Sequence, residues 1–455
     1  MDGDLGRALT MAGRVFERRT RLPVSAEQAF AWHARPGAFE RLSPPWSRVR
    51  ILERRGAGLE AGTRLTIETS VGPLRTRWVA EHTACEPGRR FVDVQREGPF
   101  ASWEHEHRFE DDGRAGSTLV DRVTWSLPTG PIGAGFAARQ LERLFARRHG
   151  VTLADLERHA AFADRPRLRV AVSGASGLVG SALCAFLESG GHEVRRLARR
   201  PGAGVEFDLA PLDGADAVVH LAGENIAGGR WTEDRKRVIV GSRVEGTGRL
   251  ARAAASLESP PRVFVSASAI GFYGDSASRE VDETAPRGSG FLAETTRAWE
   301  DAAAPARGRG IRTVLARFGV VLSPAGGALR KMLLPFRLGA GGPIGSGRQG
   351  FSWVALDDVV GAIHFALMTE SLEGPVNVTA PDPVPQREFA RALGRVLRRP
   401  AFAPLPAAVV KLVFGEMGEA MLLGGAFIVP HALERAGFVF RHPDLEAALR
   451  FELGK

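Results

Sequence analysis

The chain has 455 residues, a quarter of them charged, a formal net charge of +9 and two cysteines. That length suits two or three domains, and the balance of charged and apolar residues excludes a disordered, collagen-like or disulfide-framed chain. The positive surplus is arginine spread among acids with no nucleic-acid motif, and no apolar run reaches the roughly 18 residues of a membrane span, so a soluble, cytoplasmic protein without a nucleic-acid or membrane partner is expected.

From the N-terminus, β-forming residues recur at alternating spacing over 15–24, 49–53, 63–69, 74–82, 90–95, 103–110 and 118–126, broken by Gly and Pro. A short helix is predicted over 26–31 and a long one over 133–161. Residues 1–160 thus form a separate α+β unit. Within it, Trp103-Glu-His105-Glu-His107 places the ring of Trp103 and both imidazoles on one face of a strand. Two imidazoles so spaced can share an ion, but a catalytic zinc normally takes a third protein ligand, which His82, Asp93 or Asp121 would have to supply from a neighbouring strand. Pocket-lining or core roles are the commoner outcome for such a pair, and no metal is assigned.

The element order, with Arg21-Leu-Pro-Val-Ser-Ala-Glu-Gln-Ala-Phe30-Ala-Trp32-His33, Pro44-Pro45-Trp46 and Asp121-Arg-Val-Thr-Trp125, resembles the START-like (SRPBCC) polyketide cyclase/dehydrase domain. The resemblance implies a helix-grip fold, a sheet curled over a helix, and a lipophilic ligand held between them.

Residues 161–167 read as a short polar linker. After it, Leu168-Arg-Val-Ala-Val-Ser-Gly174-Ala-Ser176-Gly177-Leu178-Val179-Gly180 sets a glycine-rich turn between an apolar strand and a helix, with a second strand over 193–198. This is the signature of a dinucleotide site: glycines for the tight turn, the backbone approach to pyrophosphate and the helix packing, with free N–H groups at the helix start. The tip of the second strand offers no acid for a ribose hydroxyl. It carries Arg195-Arg196-Leu-Ala-Arg199-Arg200, whose planar forks suit a 2′-phosphate. NADP(H), rather than NAD, is therefore the expected cofactor, with Arg199 and Arg200 as its phosphate ligands.

The Gly-x-x-Gly-x-x-Gly spacing is similar to that of extended short-chain dehydrogenase/reductases. So are Asp208-Leu209 at the adenine position, His220-Leu221-Ala222-Gly223-Glu224 ending a strand expected to be the fourth, and Ser266-Ala-Ser268-Ala-Ile-Gly-Phe-Tyr273 on the fifth. Further along, Asn225-Ile-Ala-Gly-Gly-Arg230-Trp231, Ser242-Arg243, Arg348-Gln349-Gly-Phe-Ser352-Trp353 and Asp357-Asp358 narrow the resemblance to the SDR39U1/YfcH epimerase type. The tail, from Asn377-Val-Thr-Ala-Pro381 to Ala436-Gly-Phe-Val-Phe440, resembles its DUF1731-like C-terminal domain. The resemblance implies a Rossmann-type doubly wound parallel sheet over 168–373 and a small substrate-side domain over 374–455. The whole is an α/β chain.

That family's usual proton relay is a Tyr-x-x-x-Lys pair, and this chain lacks one. Tyr273 is its only tyrosine, four residues before Ala277, and the helix where the pair belongs has Leu292 and Thr296 in the two slots. The remaining candidates for catalysis are Ser268 on the substrate carbonyl, Tyr273 as a displaced acid, and Glu294 or Arg297, the latter lowering the phenol's pKa. Ser266 takes the place of Ser268 if the strand register differs by two. Arg317, after the sixth strand, either meets an anionic group of cofactor or substrate or pairs with an internal acid. Asn225, Lys331, Arg348, Gln349, Ser352 and Trp353 are candidates to line the substrate cleft. Asp357 and Asp358 read as N-caps.

Two functions follow. One is an NADP(H)-dependent oxidoreductase or epimerase acting on a small, lipophilic molecule captured by the N-terminal domain. The other is a protein that binds NADP(H) as a sensor, or presents a ligand beside it, without turnover.

Overall fold

In the computed structural model, which describes residues 13–47, 49–71, 74–113, 115–199 and 206–455, the chain divides between Ala161 and Phe162 into two units. The first unit is one seven-stranded antiparallel sheet in the order β1-β7-β6-β5-β4-β3-β2. Its strands are β1 (Arg14–Leu22), β2 (Arg50–Arg55), β3 (Arg64–Val71), β4 (Leu74–Glu86), β5 (Arg90–Glu97), β6 (Ser102–Asp111) and β7 (Ser117–Ser126). Alternation explains the inner face: along β6, Trp103, His105, His107 and Phe109 are buried while Glu104 is exposed.

Among the described residues three helices complete this unit: α1 (Ala26–Ala34), α2 (Ala38–Leu42) and α3 (Ala134–Ala160). Ser25 and Gln28 form a reciprocal capping box at the start of α1. On α3, Leu141, Phe145, His149, Thr152 and Leu156 recur at intervals of three and four and are buried. Phe145 lies 5.1 Å from both the Phe16 and His105 rings, which seats α3 on the inner face of the sheet. Arg41 on α2 reaches Asp155 on α3 through two 2.7 Å hydrogen bonds from Nε and Nη2. Both side chains are buried, so the fork of the guanidinium compensates a carboxylate taken out of water.

The second unit is built on a six-stranded parallel sheet. It begins with β8 (Arg169–Ser173), α4 (Leu178–Ser189), β9 (Glu193–Leu197), β10 (Ala217–His220), α5 (Glu233–Ser256), β11 (Val263–Ala269) and α6 (Phe291–Asp301). The strands Arg312–Phe318 and Gly374–Val378 follow, giving the order β9, β8, β10, β11, Arg312–Phe318, Gly374–Val378. Val170, Val172, Val219 and Val265 pack with Leu183, Phe186 and the helix Leu356–Met368 on one face. Ala171, Val218 and Phe264 pack with Leu250, Ala251 and Ala254 of α5 on the other. Helices on both faces make the sheet doubly wound.

Four details differ from expectation. Between β9 and β10 the described residues make one isolated bridge, Arg199 to Phe207, so among the described strands of this sheet β10 is third and β11 fourth in chain order. Gly374–Val378, expected to open the C-terminal domain, is the edge strand of the parallel sheet. Phe162, expected in a linker, packs against His364 and Phe365 at 5.5 and 6.0 Å between ring centroids. Asp357 and Asp358 do not cap their helix, whose N-cap is Ala355; both are buried, and Asp358 accepts from the backbone N–H groups of Arg441 and His442 at 2.9 Å.

Each unit holds one free cysteine, Cys85 partly exposed on β4 and Cys184 buried in α4. Among the described residues no helix is long and apolar enough to cross a membrane.

Candidate functional site

The strand order reverses direction at β8, whose neighbours are β9 on one side and β10 on the other, so a crevice opens beyond the carboxyl ends of β8 and β10. The glycine turn lies there. Gly174 has φ +71°, and a Cβ on it would stand 2.7 Å from the backbone nitrogen of Ala222 and the carbonyl carbon of Leu221; a Cβ on Gly180 would stand 2.1 Å from the carbonyl oxygen of Gly174. The turn therefore rests on the residues that follow β10, with no room for a side chain at Gly174 or Gly180. Gly177 is the N-cap of α4, and Ser176 and Gly177 are exposed. The first N–H groups of α4, from Leu178, Val179 and Gly180, lack intrahelical acceptors and are aimed at whatever anion occupies the crevice.

Ser173 and His220, ending β8 and β10, share a 2.6 Å hydrogen bond between Oγ and Nδ1. Burial pushes the His220 imidazole down to about 4, so it is neutral at physiological pH. Its Nε2 has no hydrogen-bond partner among the described residues. Beyond it, Leu221, Ala222 and Gly223 run along the glycine turn. Glu224 is fixed on three sides: its N–H donates to Ser242 Oγ at 3.2 Å, its carbonyl accepts from Arg243 Nη2 at 3.1 Å, and its carboxylate accepts from Arg235 Nη2 at 3.2 Å. Arg243 lies 5.1 Å from the Trp299 ring centroid.

At the other end of the crevice, Arg199 is exposed at the tip of β9, Asp208 is exposed and accepts from the Ala210 N–H at 3.2 Å, and Leu209 is 40% exposed. Arg200 lies outside the described residues. A bare glycine turn, a helix start and a free imidazole nitrogen fit a dinucleotide of the NAD(P) kind.

The residues expected to catalyse are not gathered around one point. Ser268, buried on β11, donates to Glu300 Oε1 at 2.6 Å. Both oxygens of Glu300 also accept from Arg317, from Nε at 2.7 Å and Nη2 at 2.8 Å. Arg317 Nη1 donates to the Tyr273 hydroxyl at 2.8 Å, and that hydroxyl donates to Asn377 Oδ1 at 2.7 Å. Burial pushes the Tyr273 phenol above its usual range, which Arg317 and Asn377 offset only in part. Arg317 stands within the strand Arg312–Phe318, not after it, and of its two expected roles it takes the internal ion pair. Arg297 does not lower the phenol's pKa: it is exposed on α6 and paired with Asp301 at 2.7 Å. Glu294 is exposed on the same helix. Ser266 is buried and donates to the Ala267 carbonyl at 3.1 Å.

Of the residues expected to line the substrate cleft, three are buried and engaged in holding backbone. Gln349 Nε2 donates to the carbonyls of Ile344 and Leu422 at 3.0 and 2.7 Å, Ser352 Oγ to that of Ala426 at 2.7 Å, and Trp353 Nε1 to that of Asp382 at 3.1 Å. Asn225, Lys331 and Arg348 are exposed. Lys331 Nζ donates to the Ala227 carbonyl at 2.8 Å, and Asn225 Oδ1 accepts from the N–H of the same residue. Sequence reasoning quoted Asn377 and Arg243 within motifs but gave neither a role. Neither has a local signal, because both act through partners distant in the chain.

Residues 170–378 match the NAD dependent epimerase/dehydratase family, 405–452 a domain of unknown function (DUF1731), and 22–149 the polyketide cyclase / dehydrase and lipid transport family. Human epimerase family protein SDR39U1 is 42% identical over 290 residues, which cover 62% of this chain and 99% of that protein. The chain belongs to the SDR39U1-type epimerase family. Epimerase family protein Mb2239 of Mycobacterium bovis is 45% identical over 292 residues, 62% of this chain and 96% of its own length. Among solved structures, a nucleoside-diphosphate sugar epimerase from Corynebacterium glutamicum superposes with a TM-score of 0.79 at 33% identity, covering 96% of this chain and 90% of that one. The crystal structure of human SDR39U1 (isoform 2) with NADPH superposes with a TM-score of 0.58 at 39% identity, covering 62% and 98%. The family's glycine turn, sheet and C-terminal domain are thus joined in this chain to a lipid-transport-type first unit, and the second unit is of the NAD(P)-binding kind.

Proposed function

We propose that this SDR39U1-family chain binds NADP(H) at the β8–β10 switch point and serves as an oxidoreductase or epimerase for a small, apolar molecule captured by the first unit. The observation that carries the cofactor half of this reading is the Gly174–Gly180 turn lying on Ala222, with exposed Arg199 where an NAD site usually carries an acid. When bound, the nicotinamide supplies or accepts a hydride. The backbone N–H groups at the start of α4 would hold the pyrophosphate, Arg199, with Arg200 next to it in sequence, would hold the 2′-phosphate, and Asp208 with Leu209 would border the adenine. Proton transfer cannot follow the phenol–ammonium route, since Tyr273 is buried between Arg317 and Asn377 and the residue four places on is Ala277, not lysine. The proton then exchanges with water or with an acidic position of the substrate itself.

A second reading is favoured by the same network. Ser268 and Tyr273 have their hydroxyls committed and Glu294 and Arg297 face solvent, as in a protein that binds NADP(H) without turning it over. Full-length protein loaded with NADPH and mixed with a panel of apolar ketones, enones and quinones separates the two. Stoichiometric NADPH oxidation faster than in protein-free solution supports the oxidoreductase. Tight NADPH binding without oxidation, and without deuterium exchange into any ligand that the protein retains, supports the second reading. Failure to bind NADPH overturns both.

A further inference from the structure

Strands β5, β6 and β7 carry a group of titratable side chains that the dinucleotide site does not use. The register sets Asp93 directly opposite His105 and His107 directly opposite Asp121, so the four side chains leave the sheet on the same side, toward α3. Asp93 Oδ1 lies 3.3 Å from His105 Nδ1 and 3.8 Å from His107 Nε2, and the three ligand atoms are all within 4.8 Å of one another. Donors held about 2.0–2.1 Å from one tetrahedral ion stand about 3.3–3.4 Å apart. The two separations from Asp93 Oδ1 are already close to that spacing.

Asp121 occupies the opposite side of both rings. Its Oδ1 is 2.7 Å from His107 Nδ1 and 3.5 Å from His105 Nε2, the nitrogens turned away from Asp93. Its Oδ2 is 3.0 Å from His149 Nε2, whose Nδ1 meets Thr20 Oγ1 at 2.8 Å. A carboxylate behind a ligating imidazole is the usual means of fixing its tautomer and orientation. Yet His105 Nε2, His107 Nδ1 and Asp121 Oδ1 are buried without an aligned hydrogen-bond partner among the described residues. Close approach without alignment is costly for buried polar groups, and a ligand bond on the Asp93 side would set both rings.

We propose that Asp93, His105 and His107 form a binding site for one first-row transition-metal dication inside the first unit, with Asp121 as the positioning residue for both imidazoles. Two imidazoles and one carboxylate leave further coordination positions for water or a small ligand. His82, opposite Asp93 on β4, has a buried Nδ1 with no hydrogen-bond partner among the described residues and is the adjoining candidate for a fourth ligand. Phe91, stacked on His107 at 4.0 Å, and Trp103, 6.1 Å from His105, give the site an apolar wall. Asp93, with 15% of its side chain exposed against 3% and 8% for the two histidines, marks the side of entry.

The test uses full-length protein stripped with a chelator and titrated with Co²⁺ alone. The expected result is one Co²⁺ per chain, with visible ligand-field absorption that added Zn²⁺ abolishes. His105→Gln and His107→Gln remove the absorption. Asp121→Asn, which keeps all three ligands, retains one ion per chain but weakens its binding about 10–100-fold. Circular dichroism reports whether each variant is folded. Should the histidine variants unfold, Asp93→Asn decides, because it removes a ligand from the most exposed position with almost no change in shape. No Co²⁺ bound by the stripped wild-type protein, or equal affinity in Asp93→Asn, overturns the site and leaves a proton-sharing His–Asp core.

Discussion

Arg317 holds Tyr273 in two ways: its Nη1 donates to the phenolic oxygen at 2.8 Å, and its guanidinium carbon lies 5.1 Å from the ring centroid. The arginine is itself fixed by both oxygens of Glu300. Tyr273→Phe removes the hydroxyl and leaves Arg317 Nη1 and Asn377 Oδ1 without that partner inside the protein. The expected cost is about 1–3 kcal/mol in chemical denaturation, with NADPH affinity unchanged. A variant of native stability that loses turnover on an identified substrate would instead give the phenol a chemical role.

Arg199 is expected to discriminate between cofactors. Arg199→Ala should weaken NADPH binding by roughly ten- to a hundredfold, the value of one charge-assisted hydrogen bond of about 1.5–3 kcal/mol, and leave NADH binding unchanged. Paired titrations of both dinucleotides by fluorescence measure this. Equal losses for the two would move the 2′-phosphate contact elsewhere.

The glycines of the turn should respond unequally. A Cβ on Gly180 meets the Gly174 carbonyl oxygen at 2.1 Å, whereas one on Gly177 meets the same oxygen at 3.2 Å and nothing else within 4 Å. Gly180→Ala should therefore displace the turn and lower the thermal midpoint together with NADPH affinity. Gly177→Ala should keep the fold and weaken only NADPH binding, because the methyl group stands where the pyrophosphate approaches. Thermal melts and titrations of the two proteins side by side test the difference.

His220 gives the second unit an acid sensitivity of defined sign. Its folded-state pKa is depressed from 6.5 to about 4, so between these values the unfolded chain binds the proton and the folded one does not. Stability is full above about 6.5 and is lost as the pH falls toward 4. The total is about 3 kcal/mol at 1.36 kcal/mol per pH unit as an upper bound. Denaturation of wild-type protein and His220→Asn from pH 7.5 to 4 should show a shallower decline in the variant; parallel curves would mean that His220 titrates normally.

Much of the architecture is legible in the sequence because it is written locally. Alternation along 103–110 marks β6 and its buried face, and the spacing of Gly174, Gly177 and Gly180 marks the crevice before any fold is known. Residues whose roles depend on register or on distant partners are not legible. The pairing of His105 with Asp93 and of His107 with Asp121 follows from how three strands align, and Glu300 reaches Arg317 only once α6 lies against the sheet. The bridge between Arg199 and Phe207 is a further case, a pairing across the chain that no local pattern announces. For the same reason Tyr273, read alone, suggests an acid, and with its partners becomes a buried connection from the turn after β11 to the strand Arg312–Phe318 and the edge strand.

The distribution of sulfur in the two units provides a pair of internal reporters. Cys184 is buried in α4, and burial pushes its thiol up to about 11, while Cys85 on β4 is partly exposed with its thiol raised by burial and by Glu60. Alkylation requires a solvent-accessible thiolate, so the rate at Cys184 measures how often α4 lifts from the parallel sheet, and the rate at Cys85 follows the antiparallel one. Mass spectrometry of the two alkylated peptides resolves both rates in a single sample. Added NADPH should slow labelling at Cys184 alone, and a metal ion should slow it at Cys85 alone, so occupancy of each unit can be read without a substrate.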